Sequence, residues 1–160
     1  MKGSARRVHI GVIGSGSCDS DVSEKAYEVG RAIAQNGAIL FCGGLGGVME
    51  AAAHGAKIEG GITVGILPGS SVEEANRYID IPIVTDMGHA RNVILVRSCD
   101  ALIAIAGGFG TLSEIAVACK IGIPCVGLAT WGIAPDIRMA KDPVQAVTMA
   151  IQMARQRGTL

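Results

Sequence analysis

Residues 101–122, Ala101-Leu102-Ile103-Ala104-Ile105-Ala106-Gly107-Gly108-Phe109-Gly110-Thr111-Leu112-Ser113-Glu114-Ile115-Ala116-Val117-Ala118-Cys119-Lys120-Ile121-Gly122, carry the pattern from which the fold is read. Six apolar residues run without a polar interruption and stop at a double glycine. A stretch at helical spacing then begins at Thr111 and ends before Gly122. A strand that does not alternate between apolar and polar is one covered on both faces, as in a parallel sheet dressed with helices. Strand, glycine turn and helix together make half of a β-α-β unit.

The same pattern recurs in both directions along the chain. Apolar strands are expected at Val8–Ile13, Ala38–Cys42, Thr63–Leu67, Ile81–Thr85, Ala101–Ala106 and Pro124–Leu128. Between them, a helix from Asp21 to Gln35 places Val22, Ala26, Val29 and Ile33 on one face and stops at Asn36-Gly37. Further helices are expected at Gly47–Glu59, at Ala90–Ser98 (apolar all round through Val93-Ile94-Leu95-Val96, and so buried), and after Asp142. There Asp142 caps, Pro143 takes the first position, and Val144, Val147, Ile151 and Ala154 form the inner stripe. The expectation is one α/β domain over residues 1–160, a Rossmann-like doubly wound parallel sheet of six or seven strands with helices on both faces.

Composition supports that class and narrows the partners. Hydrophobic residues make up 49% of the 160 and aromatics only 3%, so the core is aliphatic. Lysine plus arginine and aspartate plus glutamate both number 14, without a basic run, which argues against a nucleic-acid groove. No apolar stretch reaches the ~20 residues of a membrane span. The five cysteines, Cys18, Cys42, Cys99, Cys119 and Cys125, include no C-x-x-C pair and read as reduced core thiols of a cytoplasmic protein.

In such a sheet, ligands bind beyond the carboxyl ends of the strands, where loops enter helix N-termini. The rule selects Gly14-Ser15-Gly16-Ser17, Gly43-Gly44-Leu45-Gly46-Gly47, Pro68–Ser71, Met87–Asn92, Gly107–Thr111 and Thr130-Trp131-Gly132. Glycine clears space for a ligand, and the unpaired N–H groups of the following helix favour an anion. Other anion fingerprints fail. Asp19 stands where G-x-G-x-x-G needs its last glycine, and Ser17 where a P-loop needs lysine. His9, His54 and His89 lack metal-ligand spacing, so no metal site is expected. Lys57 and Lys120 lie late in their helices, away from any pyridoxal site.

The segment Gly107-Gly108-Phe109-Gly110-Thr111-Leu112-Ser113-Glu114 resembles the Lonely Guy family signature P-G-G-x-G-T-x-x-E. His89-Ala90-Arg91 is similar to that family's H-x-R-K segment, and Gly43-Gly44-Leu45-Gly46-Gly47-Val48-Met49 to its G-G-G-x-x-G-L-M turn. The resemblance covers nearly the whole chain. It implies hydrolysis of the N-glycosidic bond of nucleoside 5′-monophosphates, with Arg91 and Glu114 at the essential positions. The chain departs from the pattern with Ala106 for the proline, Asn92 for the lysine, and Ser113 where many active members carry a second acid. In these it looks closer to the branch of molybdenum cofactor carrier proteins, which bind a phosphorylated pterin.

Two functions stay open at this point: a carrier of a phosphorylated ligand, above all the molybdenum cofactor, and a phosphoribohydrolase. Neither requires a cofactor for chemistry; molybdenum cofactor or a nucleotide would be the ligand. The candidate ligand-binding residues are Gly14, Ser15, Gly16, Gly43, Gly44, Gly46, Gly47, Arg91, Asn92, Gly107, Gly108, Phe109, Gly110, Thr111 and Glu114; Arg91 and Glu114 are catalytic only in the hydrolase. Structural roles compete with these. Thr111 and Glu114 have the spacing of a capping box, and Arg91 can pair with Glu50 or Asp86. Glu50 can complement a helix dipole or face Glu114. Trp131 can wall the ligand or plug the core. Related proteins are dimers or tetramers, so a homo-oligomer is expected.

Overall fold

The structure, a computed structural model, describes residues 6–157. Seven strands among these residues form one all-parallel sheet: β1 (His9–Gly14), β2 (Ile39–Cys42), β3 (Thr63–Leu67), β4 (Ile81–Val84), β5 (Ala101–Ile105), β6 (Cys125–Leu128) and β7 (Arg138–Met139). Their order across the sheet is β4-β3-β2-β1-β5-β6-β7. The chain starts in the middle, steps outward to β4, and returns on the other side of β1 through β5. The turns that follow β1 and β5 therefore diverge, and a crevice opens between them. The expected α/β class is the observed one.

Helices α1 (Ser20–Gln35), α2 (Val48–Ile58) and α5 (Pro143–Gln156) cover one face, and α3 (Arg91–Arg97) and α4 (Phe109–Ile121) the other. Local chemistry accounts for their ends. The Asp19 carboxylate accepts from the Val22 N–H at 2.9 Å and starts α1. The helix stops at Asn36, whose side-chain amide donates to the Ala32 carbonyl at 2.8 Å, before Gly37 at φ 70°. Asp142 starts α5 in the same way, accepting from the Gln145 N–H at 2.8 Å, with Pro143 at the first position. A β-carbon on Gly30 would overlap the Ala52 carbonyl, and one on Gly55 the Tyr27 carbonyl, so α1 and α2 touch backbone to backbone.

Several expectations need correction. β4 is an edge strand, paired only with β3, and Ile81, Ile83 and Val84 are exposed rather than covered. The segment at α3 is not buried all round: Leu95 and Val96 face the core, while Val93 is exposed. Val144 is off the inner stripe of α5, at 64% exposure. Cys18 and Cys119 are exposed, so only Cys42, Cys99 and Cys125 are core thiols; all five are free. Helix α4 begins at Phe109, two residues before the expected start, which places Thr111 inside the first turn.

Candidate functional site

The crevice between the β1 and β5 turns holds a cavity of about 300 Å³. Val12 and Ile13 of β1 form its floor. Gly14, Ser15 and Gly16 come from the first turn, and Gly43, Leu45 and Met49 from the second. His89, Arg91, Asn92 and Leu95 enter from α3 and the 3-10 turn before it, and Gly108, Gly110, Thr111 and Glu114 from the start of α4. The two glycine turns on the α1–α2 side are fastened to each other, since the Val48 N–H donates to the Ser15 carbonyl at 3.0 Å.

Arg91 dominates the electrostatics. It is the first residue of α3, 9% exposed, and its Nε is buried without a hydrogen-bond partner. Burial lowers its pKa; Glu114 and Cys42 pull it back up. None of the ion pairs among the described residues includes Arg91, so the expected partners Glu50 and Asp86 do not engage it. Glu50 lies in a separate cleft with Glu24, Tyr27 and His54, on the far side of Gly47, and does not face Glu114. It does sit in the first turn of α2, where its charge complements the dipole.

Glu114 is 6% exposed, and burial pushes its carboxyl up to about 7, with Arg91 pulling the other way. The capping box is absent: the cap of α4 is Gly108, with no side-chain bond to the helix. The first N–H groups of α4 are thus free of a side-chain acceptor at the wall of the cavity. The Asn92 amide donates to the Ser113 hydroxyl at 3.3 Å, and that hydroxyl donates to the Gly110 carbonyl at 2.7 Å. Asn92 and Ser113, two of the three departures from the Lonely Guy pattern, therefore meet, and a neutral contact joins α3 to the first turn of α4.

Of the candidate residues, Gly14, Ser15, Gly16, Gly43, Arg91, Asn92, Gly108, Gly110, Thr111 and Glu114 converge on the cavity. Gly44, Gly46, Gly47, Gly107 and Phe109 do not line it. Gly107, at φ 98°, packs where the Thr111 side chain leaves no room for a β-carbon. The turns at Pro68–Ser71 and Thr130–Gly132 also stand apart from it. Trp131 neither plugs the core nor reaches the cavity; it is 38% exposed, and its indole N–H donates to the Gly107 carbonyl at 3.1 Å. Met49, quoted with the second turn but not among the candidate ligand-binding residues, and Leu95 also line the cavity. Leu95 lies one helical turn after Arg91, the spacing that could have flagged it. His9 and His54 stay outside: His9 bonds the Ser98 carbonyl at 3.1 Å, and His54 stacks on Tyr78 at 4.2 Å.

The sequence profile of the SLOG cluster4 family matches residues 7–157. The chain belongs to that family. Among family-like proteins, a cytokinin riboside 5′-monophosphate phosphoribohydrolase of Mycobacterium tuberculosis is 38% identical over 122 residues, 71% of this chain and 65% of the relative. The chain thus spans about two thirds of that enzyme's length. The molybdenum cofactor binding protein of Rippkaea orientalis superposes with a TM-score of 0.89 at 36% identity, covering 94% of this chain and 99% of the other. The molybdenum cofactor carrier protein of Chlamydomonas reinhardtii does so with a TM-score of 0.87 at 38% identity and the same coverage. SLOG cluster4 membership and these likenesses agree with the resemblance read from the glycine turns.

Proposed function

We propose that this protein binds a phosphorylated small molecule in the β1–β5 crevice and acts as a carrier, with the molybdenum cofactor as the preferred cargo. The observation that carries the reading is Arg91, a buried guanidinium whose Nε has no partner, set beside the uncapped start of α4. A phosphate relieves both at once. Its oxygens accept from the guanidinium fork and from the N–H groups of the first turn. Burial pushes the Glu114 carboxyl up to about 7, and in its protonated form it can donate to the same phosphate. Asn92 positions α4 through Ser113. The likeness to two molybdenum cofactor proteins along nearly their whole length supports the choice of cargo.

The test is saturable binding of molybdenum cofactor by the purified protein, compared with an Arg91→Met variant. Binding to the native protein with a loss of about tenfold or more in the variant is expected, from the worth of hydrogen bonds to a charged group. Equal affinity in the two would defeat the reading.

A second reading is the phosphoribohydrolase. It is favoured by one arrangement, the Glu114 carboxyl and the Arg91 guanidinium in one cavity, which would let Glu114 orient water or steady positive charge on the ribosyl carbon. The neutral Asn92–Ser113 contact, where the active pattern has a lysine and often a second acid, favours the carrier. Release of free adenine from AMP, abolished in Glu114→Ala, would reverse that order. The reading also includes a cytoplasmic setting and self-association, for which the exposed Ile81, Ile83 and Val84 of β4 offer an apolar edge. No helix among the described residues is long and apolar enough to cross a membrane.

A further inference from the structure

Beside the cavity, and outside its lining, stands a pair of exposed aromatic rings. Phe109, the first residue of α4, is 83% exposed, and its ring lies against that of Trp131, with centroids 6.3 Å apart and planes 25° from parallel. Trp131 is tied to the turns beneath it. The Trp131 indole donates to the Gly107 carbonyl at 3.1 Å, and the Thr130 hydroxyl donates to the carbonyl of Ala106. The strand ends beneath it are strained, with Ala106 at φ 45° and Ala129 at φ 53°, a region that alanine rarely occupies. Phe109 stands on the ridge formed with Gly108 and Gly110, both of which line the cavity. Nothing lies within 4 Å of where a β-carbon would stand on Gly108 or Gly110, so the ridge is open backbone.

We propose that Phe109 and Trp131 form a platform for a planar heteroaromatic ring on the ligand whose phosphate lies in the cavity, and so select the ligand by its ring. The inference rests on the phosphate-binding reading given above. A flat ring laid on Phe109 extends an offset stack already begun with Trp131, at centroid separations within the favoured 4.5–7 Å range. Stacking of this kind strengthens the binding of any flat ring, purine or pterin, and adds nothing for a sugar phosphate that has none. Gly108 and Gly110 leave the path from phosphate to platform clear.

Trp131 is the only tryptophan in the chain, so its fluorescence reports on the platform directly. Calorimetry and tryptophan fluorescence are run with AMP, 6-hydroxymethylpterin monophosphate and ribose 5-phosphate. The expected result is binding of all three, with quenching of Trp131 by the first two alone. Phe109→Ala, at a site exposed enough to spare the fold, then weakens the ring-bearing ligands about tenfold and leaves ribose 5-phosphate unchanged. Equal affinity of the three ligands, or an equal loss for all in Phe109→Ala, overturns the platform while the phosphate site stands. Absence of heat with all three removes the phosphate site, and the platform with it. A change in sedimentation on Phe109→Ala would reassign the rings to a contact between copies and overturn the proposal.

Discussion

Arg91 is seated on the bare α-carbon of Gly43: a β-carbon there would overlap the guanidinium Nη1 and stand 2.6 Å from the Met49 sulfur. The glycine of the second turn thus shapes the cavity by what it omits. The one unsatisfied buried cation among the described residues lies in the space so left.

Gly43→Ala should displace Arg91 and weaken binding of a phosphorylated ligand by about tenfold or more, the scale expected for losing a charge-assisted hydrogen bond. Titration calorimetry with ribose 5-phosphate measures it. Unchanged affinity would mean that the guanidinium does not depend on this seat.

Glu114 makes stability depend on pH in a definite direction. Its carboxyl stands at about 7 in the fold, above its ordinary 4.5, so the folded chain keeps a proton that the unfolded chain gives up between those values. Stability therefore falls as pH rises through that window and levels off above about 7, by an amount on the order of 3 kcal/mol. Urea midpoints at pH 5 and pH 8 should show the decline in the native protein and a much smaller one in Glu114→Gln. Sulfate, whose charge is constant over this range, should also bind more weakly as Glu114 ionises; a flat profile would contradict the assignment.

Asn92 and Ser113 should act as a unit. Asn92→Lys alone adds a second buried cation near Arg91 and should destabilise by about 2 kcal/mol or more. Ser113→Glu alone, at an exposed position, should cost little. In the double variant the new charges meet, and a double-mutant cycle should return a favourable coupling of about 1–3 kcal/mol. Strict additivity of the two substitutions would show that the contact at 3.3 Å carries no energy.

Thiol chemistry separates the cysteines. Cys18 and Cys119 are exposed, while Cys42, Cys99 and Cys125 are buried and burial raises their pKa values. An aromatic disulfide reagent should titrate two thiols in the native protein and five after unfolding. Rapid reaction of a third would place one of the buried sulfurs nearer the surface than described.

Much of this molecule is written in its sequence because a parallel sheet buried on both faces leaves continuous apolar runs, as in Ala101–Ile105. The glycine turns at their ends were legible for the same reason. Arg91 and Glu114, 23 residues apart, can both be singled out from the sequence, since each opens or follows a turn at the carboxyl edge of the sheet, and the structure brings them to one cavity. What failed was set by neighbours rather than by local chemistry. Ile81, Ile83 and Val84 read like a covered strand, but their exposure follows from the place of β4 at the sheet edge. β7 is two exposed residues, defined only by their pairing with Val126 and Gly127. Thr111 and Glu114 have capping-box spacing, yet the helix starts earlier, at Phe109. Glu50 has the right turn and the wrong side of it.

The backbone contact of α1 with α2 has a kinetic consequence. Gly30 against Ala52, Gly55 against Tyr27, and the bond from Val48 to Ser15 join the first two turns into one fixed jaw. The opposite jaw is the seven-residue α3 and the start of α4, bridged at the mouth by Asn92 and Ser113. For the proposed phosphorylated ligand, substitutions on the α3–α4 side should therefore change the dissociation rate more than those beneath the first two turns, a difference that stopped-flow displacement measures.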